Sequence, residues 1–540
     1  MTTGGVAATI RLTVDGRRAE VPAGSTVAAA VWRANAGTAR RALDGSPRGP
    51  VCGMGVCFEC RVEVDGPPDV RSCMVRARDG MDVRTTRASA GEGAVSATRV
   101  GDHAESAESI THPPTGACDV LVVGAGPAGL AAAATAAEGG ADVVIVDGAA
   151  HLGGQIWRPR ADGSRPAQAE AWVDRVADHP AIDARLRTSV VGASAGADGP
   201  TVVLASDGAR ATIVRPRRLI LATGARERFL PFPGWTLPGV VGVGGAQALA
   251  SGGVPIGGRT VVVAGSGPLA LAVAAHLAAA GAHVVAVAEQ ADAANVRRFA
   301  ATMAARPATL ARAALLRLAV GPGRYRPGTW PVAAHGLERV DAVSLRTAPG
   351  ADRTIDCDLL AVAFGLEPEL RLAALLGCRH DARGVVVDDR QRTTAAGVLA
   401  AGEITGVGGA DMALVEGRIA ADAAAGRDVS PALAGARDRG RRFADLLERA
   451  FALRPELRDL PDADTVVCRC EDVRLGALSG HSTWRSAKLH TRCGMGPCQG
   501  RVCGPATTFL FGWEDGAPRP PLEPLSVSAM IQSHHMGVTT

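Results

Sequence analysis

Apolar and polar residues alternate at the start of the chain. Ile10, Leu12 and Val14 share one face, Asp15-Gly16 supplies a turn, and Val21 lies on the return strand, so residues 9–21 predict a β-hairpin. Ser25 or Thr26 offers a cap for a helix that runs through Trp32 and stops near Gly37. Arg61–Val64 reads as another strand, followed by an Asp65-Gly66-Pro67-Pro68 turn. From Asp119 the pattern changes. Val120-Leu121-Val122-Val123 is a continuous apolar run of the kind a strand buried on both faces needs. A glycine turn, an alanine-rich helix and a second apolar strand at residues 143–146 follow. The same order recurs near Thr260, with Gly124 and Gly265 lying 265 − 124 = 141 positions apart, which reads as a duplication of fold. Residues 261–288 are nearly free of charge, but Gly265, Gly267, Pro268, His276 and His283 interrupt them. They predict a buried strand, tight turn and helix, and no transmembrane segment.

These patterns divide the chain. Residues 1–87 form a small unit, and 88–118, rich in Ala, Ser, Gly, Thr and Glu without periodicity, form a linker. Residues 119–245 and 356–430 make two parts of one nucleotide-binding domain, and 246–355 make the second. Residues 431–463 are a charged helical connector, and 464–540 a last domain with a tail that holds His534-His535. A chain of 540 residues with 47% hydrophobic content can build several α/β cores. Its 58 basic and 54 acidic residues nearly balance and form no basic stripe with interleaved aromatics, which argues against a nucleic-acid partner. The start of the chain lacks the basic and apolar pattern of a secretory leader.

Nine of the twelve cysteines fall in two bursts. Cys52, Cys57, Cys60 and Cys73 follow C-x4-C-x2-C-x12-C, whose opening is the plant-type ferredoxin spacing for a 2Fe–2S cluster. Cys468 and Cys470 can chelate from one short loop, and Cys493, Cys498 and Cys503 supply further thiolates. Five sulfurs compete for four places there. Four-thiolate zinc is the alternative at either set. Thiols spaced as ligands must stay reduced, which favours the cytoplasm. Cys118, Cys357 and Cys378 stand apart and read as small buried hydrophobes.

The chemistry of the middle lies in its glycines. In Gly124-Ala125-Gly126-Pro127-Ala128-Gly129, the first glycine permits a tight turn, the second lets backbone approach pyrophosphate, and the third lets helix and strand pack closely. The helix N-terminus then offers free N–H groups to phosphate. Asp147 ends the next strand where a carboxylate can hold ribose hydroxyls. In the second unit Gly265, Gly267 and Ala270 repeat the arrangement, with Glu289 at the ribose position. An acid there opposes a 2′-phosphate, so NAD or another adenine nucleotide fits better than NADP.

Three further segments carry a resemblance: His151-Leu152-Gly153-Gly154-Gln155, Leu221-Ala222-Thr223-Gly224, and Gly397-Val398-Leu399-Ala400-Ala401-Gly402-Glu403. With the two glycine turns, this set resembles the two-dinucleotide-domain flavoproteins related to glutathione and thioredoxin reductases. That resemblance implies FAD on the first unit, with Gly402 and Glu403 near its ribityl and phosphate region. It does not extend to disulfide reduction, since no cysteine lies between Cys118 and Cys357.

Gly224-Ala225-Arg226-Glu227-Arg228, Pro233-Gly234-Trp235-Thr236-Leu237-Pro238-Gly239-Val240 and the Cys493 to Cys503 run point further. Residues 119–510 resemble the flavin-containing alpha subunits of heteromeric amine dehydrogenases, such as opine oxidases, hydroxyproline dehydrogenases, sarcosine oxidase and hydrogen cyanide synthase. Residues 1–87 resemble the small β-grasp 2Fe–2S subunit that some members encode separately. The last domain resembles the bacterioferritin-associated-ferredoxin-like 2Fe–2S domain, in which the Cys-Gln-Gly-x-x-Cys segment is most recognisable. On that resemblance Cys468, Cys470, Cys498 and Cys503 are the expected ligands, with Cys493 as a spare that could replace either Cys498 or Cys503. It further implies a flavin-bearing beta subunit that oxidises the amine, with room for FMN at the interface, and an unnamed electron acceptor. Two alternatives are a self-contained NADH-dependent reductase and a non-catalytic iron–sulfur docking module. No residue can be named as a substrate base.

Overall fold

The structure, a computed structural model, describes residues 8–66, 69–86, 115–196, 199–206, 210–348, 350–514 and 516–534. The N-terminal hairpin forms as the alternation predicts. Thr9–Val14 pairs antiparallel with Arg17–Pro22, and Asp15 and Gly16 both take positive φ in the turn. Asp82–Thr85 then pairs parallel with Thr9–Val14, and Arg61–Val64 and Val70–Arg71 complete a five-stranded sheet. Helix Val27–Asn35 covers one face and buries Val27, Val31 and Trp32 against Leu12, Val14, Val62 and Val83. Pro67 and Pro68 and nearly all of the expected linker lie outside the described residues.

The first nucleotide-binding unit is a seven-stranded sheet. Its parallel centre holds Val143–Asp147, Thr115–Val123, the 12-residue Arg210–Leu221 and Val398–Ala400. The strand expected to start at Asp119 starts at Thr115. Gly116, Ala117 and Cys118 find partners in Val214, Arg215 and Pro216 of the long neighbouring strand, and this pairing outweighs their linker-like composition. The second unit is a parallel sheet in the order Val240–Gly242, Leu359–Ala363, Thr260–Gly265, His283–Glu289, Tyr325–Pro327. Its first two strands fall outside residues 246–355, the limits that local pattern suggests.

The segments dock on one another. Apolar residues of the N-terminal sheet and of the second unit share one core, and Thr26 N donates to Gly252 O at 2.8 Å. Val51, Cys52, Cys57 and Phe58 enter another core with Phe229, Phe232, Trp235, Cys498 and Val502. The tail also packs. Leu522 joins the core of the first sheet, and Gln532 accepts from Ala211 N at 3.2 Å. His535 lies outside the described residues. Among the described residues, no helix is long and apolar enough to cross a membrane.

Candidate functional site

The first glycine turn has the shape its sequence requires. Gly124 takes φ +105°, and a Cβ there would sit 2.2 Å from Ala222 O. A Cβ on Gly129 would sit 1.8 Å from Gly124 O, so helix Pro127–Glu138 packs too closely on its strand for any side chain. Gly126 differs: the nearest atom to a Cβ would be Gly154 Cα at 4.0 Å. The space above this residue is therefore open, in front of a helix N-terminus, as a pyrophosphate needs. Asp147 ends its strand and accepts from Ala125 N and Ala149 N, both at 2.7 Å, and burial raises its pKa.

Other predicted residues surround this turn. Gly154 faces Gly126, where a Cβ would meet Gly126 Cα at 2.7 Å. Gly402, at φ +82°, leaves no room for a side chain against Ala128 and donates to the buried Glu416 Oε2 at 2.9 Å. Glu403 follows, its pKa raised by burial. Thr223 Oγ1 donates to Glu369 O at 3.0 Å, and Gly224 takes φ +70°. Arg226 and Arg228 meet carboxylates, Glu369 at 2.7 Å and Glu367 respectively, rather than open solvent.

In the second unit Glu289 accepts from Gly267 N at 2.8 Å and Ala291 N at 2.9 Å, and burial pushes its pKa up to about 7. A cavity of about 730 Å³ opens between the two units, lined by Ser266, Gly267, Gly365, Val385, Thr405 and Phe451 among others. Phe451, just past the charged helix Pro431–Ala450, sets one limit, since a Cβ on Gly267 would touch its side chain at 4.0 Å.

Both cysteine sets are assembled, and all their members are buried except the half-buried Cys470. Cys60 and Cys73 sulfurs lie 3.4 Å apart, and Cys52 and Cys57 are neighbours in the same loop. Gly53 and Gly55 bend that loop at positive φ, and Met54 N points at Cys52 Sγ at 3.4 Å. In the last domain the sulfurs of Cys468, Cys493 and Cys503 all lie within 4.8 Å of one another. Cys470 stands beside Cys498, and Gly494 N points at Cys468 Sγ at 3.5 Å. Cys493, which the resemblance makes a spare, thus sits inside the sulfur group. Soft, buried, unbridged thiols with backbone N–H groups aimed at sulfur suit an iron–sulfur cluster at each place.

Residues 118–425 match the family described as pyridine nucleotide-disulphide oxidoreductase, and residues 7–88 match a 2Fe-2S iron-sulfur cluster binding domain. An opine oxidase subunit of Rhizobium meliloti (strain 1021) is 34% identical over 460 residues, covering 76% of this chain and 97% of its own length. The chain belongs to the pyridine nucleotide-disulphide oxidoreductase family, together with that opine oxidase subunit. Hydrogen cyanide synthase subunit HcnB of Pseudomonas protegens is 33% identical, with 76% of this chain and 97% of that subunit covered. The sarcosine oxidase alpha subunit of Rhizobium meliloti is 28% identical across 77% of this chain but only 42% of its own length. The solved L-proline dehydrogenase from P. horikoshii shares the fold over 98% of both chains, with a TM-score of 0.69 at 18% identity. The chain is therefore an FAD-dependent oxidoreductase with an N-terminal 2Fe–2S domain.

Two residues carry little or no signal in the sequence. Arg158, three positions past Gln155, donates to Gly53 O of the cysteine loop at 2.7 Å and to Gln155 Oε1 at 2.5 Å. Its only sequence signal is its place just after the His151 to Gln155 run. Glu227 lies in the Gly224 to Arg228 run, yet nothing there marks it from its arginine neighbours. It is buried and accepts from Gly244 N at 2.7 Å and Gly245 N at 3.0 Å, at the start of helix Val243–Ser251. Burial raises its pKa to about 7, against the pull of those two N–H groups. Between its ordinary value of 4.5 and about 7 the folded state holds a proton that the unfolded state has released, so stability falls as pH rises. Across that window the loss is about 3 kcal/mol. Glu227→Gln should flatten the fall in melting temperature between pH 5 and pH 8, measured calorimetrically on the isolated chain; an unchanged slope would contradict the assignment.

Proposed function

We propose that this chain is the electron-relaying flavoprotein subunit of a heteromeric dehydrogenase acting on an amine or imino acid of the opine, hydroxyproline, sarcosine or glycine type. One observation carries the reading: the flavin segment and the first cysteine loop are in direct contact. Arg158 reaches from the Gly154-Gln155 segment to Gly53 O, and helix Val243–Ser251 packs on the same loop, where Gly242 N donates to Val51 O at 3.0 Å. When bound, FAD accepts electrons as a pair, and 2Fe–2S groups take them one at a time. The open space at Gly126, with Gly124, Pro127, Ala128, Gly129 and Asp147 around it, supports the FAD site.

Cys52, Cys57, Cys60 and Cys73 would hold the first cluster. Cys468, Cys470, Cys498 and Cys503 would hold the second. Cys470 stands beside Cys498, and Cys468 stands beside both Cys503 and Cys493, so Cys493 could take a place in the set. The reduced thiols suit the cytoplasm. By analogy with relatives named as subunits, the amine would be oxidised by a flavin-bearing partner, with FMN where the two meet.

The cavity beside Ser266 and Gly267 supports a second ligand, NAD or another adenine nucleotide, and with it the rival reading of an NADH reductase. Anaerobic stopped-flow separates the two. NADH should bleach the flavin of the isolated chain slowly, and the isolated chain should oxidise imino acids poorly until the partner subunit is added. Rapid bleaching by NADH, or efficient imino-acid turnover by the chain alone, would overturn the relay reading.

A further inference from the structure

Between the two cysteine loops lies an ion cluster that neither cofactor site accounts for. Glu59 stands between Cys57 and Cys60, and Arg469 between Cys468 and Cys470. Their side chains are each 1% exposed, and Arg469 Nε meets Glu59 Oε2 at 3.0 Å. Glu59 Oε1 takes a second cation, Arg40 Nη2, at 2.8 Å, and the same Arg40 nitrogen donates to Arg469 O at 2.8 Å. Arg469 is itself anchored on Trp235 O at 3.0 Å and Thr236 O at 3.2 Å. Arg48, 2% exposed, extends the lock to Asp472 at 2.9 Å. At the centre, Cys470 Sγ lies 4.0 Å from Cys57 O, so one loop's sulfur touches the other loop's backbone.

A buried ion cluster is a poor stabiliser, because desolvation offsets most of its Coulomb gain. It is a good device for register, because an unpaired charge in that space is not tolerated. From this geometry we propose that Glu59 is a positioning residue that holds the two cysteine loops edge to edge, so that the two iron–sulfur sites form one coupled pair within the chain. The exchange it serves is a single electron: one site is oxidised by one electron as the other is reduced by one, with no bond broken and no proton released. The electrons come from the reduced flavin and leave to a one-electron acceptor. Glu59 also offsets the positive charge of Arg40 and Arg469 between both sites, so both reduction potentials lie lower than they would without it.

This inference rests on the two-cluster reading, and the order of measurements tells the two apart. Iron and acid-labile sulfide are assayed first on the full chain, with about four of each expected. Only two irons would sink the two-cluster reading and this inference with it. With four irons present, the fully reduced protein should show EPR signals split or broadened relative to the half-reduced protein; two magnetically isolated signals would overturn the inference alone. In redox titrations followed by EPR, Glu59→Gln should move both midpoints upward. The surface variant Glu63→Gln, in the same domain, should move neither. A shift confined to one midpoint would refute the shared position of Glu59. Should Glu59→Gln fail to accumulate, Glu59→Asp, which keeps the charge and shortens its reach, should weaken the splitting; an unaltered spectrum would refute the positioning role.

Discussion

Valine in place of Gly126 should empty the flavin site while leaving the fold intact. The backbone there is ordinary, with φ −75°, so a branched residue meets no left-handed strain. A Cβ has free space to 4.0 Å, so the side chain starts out from the backbone without a clash. What valine fills is the gap through which pyrophosphate would reach the backbone N–H groups. Binding should weaken by at least about a hundredfold, or ~2.7 kcal/mol. Gly129→Ala, three residues on, should do the opposite. Its Cβ would land 1.8 Å from Gly124 O, so helix and strand must separate. The cost is about 3 kcal/mol or more, and the fold yields before the ligand matters. Flavin absorbance per chain, read beside a thermal melt, distinguishes the two: a Gly126→Val protein that stays fully yellow would move FAD elsewhere.

The second large effect is expected at Cys57. Serine there keeps the size of the side chain but removes a thiolate from a loop whose four sulfurs are all buried. Iron should fall from about four to about two per chain. In the complex with its partner, substrate should still reduce the flavin at close to the normal rate, because Arg158 and the glycine turn are untouched. Reduction of the external acceptor should drop to background. The contact between Cys470 and Cys57 uses the main-chain oxygen, which serine retains, so the second cysteine group should survive. Stopped-flow absorbance on the complex follows both steps, and undiminished acceptor reduction would take the first cysteine loop out of the electron path.

Much of the fold is legible in the sequence, for identifiable reasons. Asp15-Gly16 between alternating residues names a hairpin turn because few other residues tolerate the positive φ found there. Gly124, Gly126 and Gly129 name a nucleotide turn because each answers a different steric demand. Boundaries are less legible. Residues 115–118 look like linker, yet they form strand because Arg210–Leu221 offers them partners. Leu522 looks like tail, yet it completes the core of the first sheet.

What the sequence determined alone is the set of local devices: the hairpin, the two strand–turn–helix units, two groups of cysteines at ligand spacing, and an α/β flavoprotein order along the chain. Each depends on residues a few positions apart, so spacing and steric preference suffice to read it. Only the tertiary structure decided how those devices meet. Glu59 and Arg469 are 410 positions apart, and Arg158 lies 105 from Gly53. Their neighbourhoods place them beside cysteine or glycine runs but cannot name the partner each meets, because that partner is brought near only by the fold. Likewise spacing leaves five sulfurs for four places, and Cys493, a spare by resemblance, stands among the others, since a folded loop brings thiols together by its path through space.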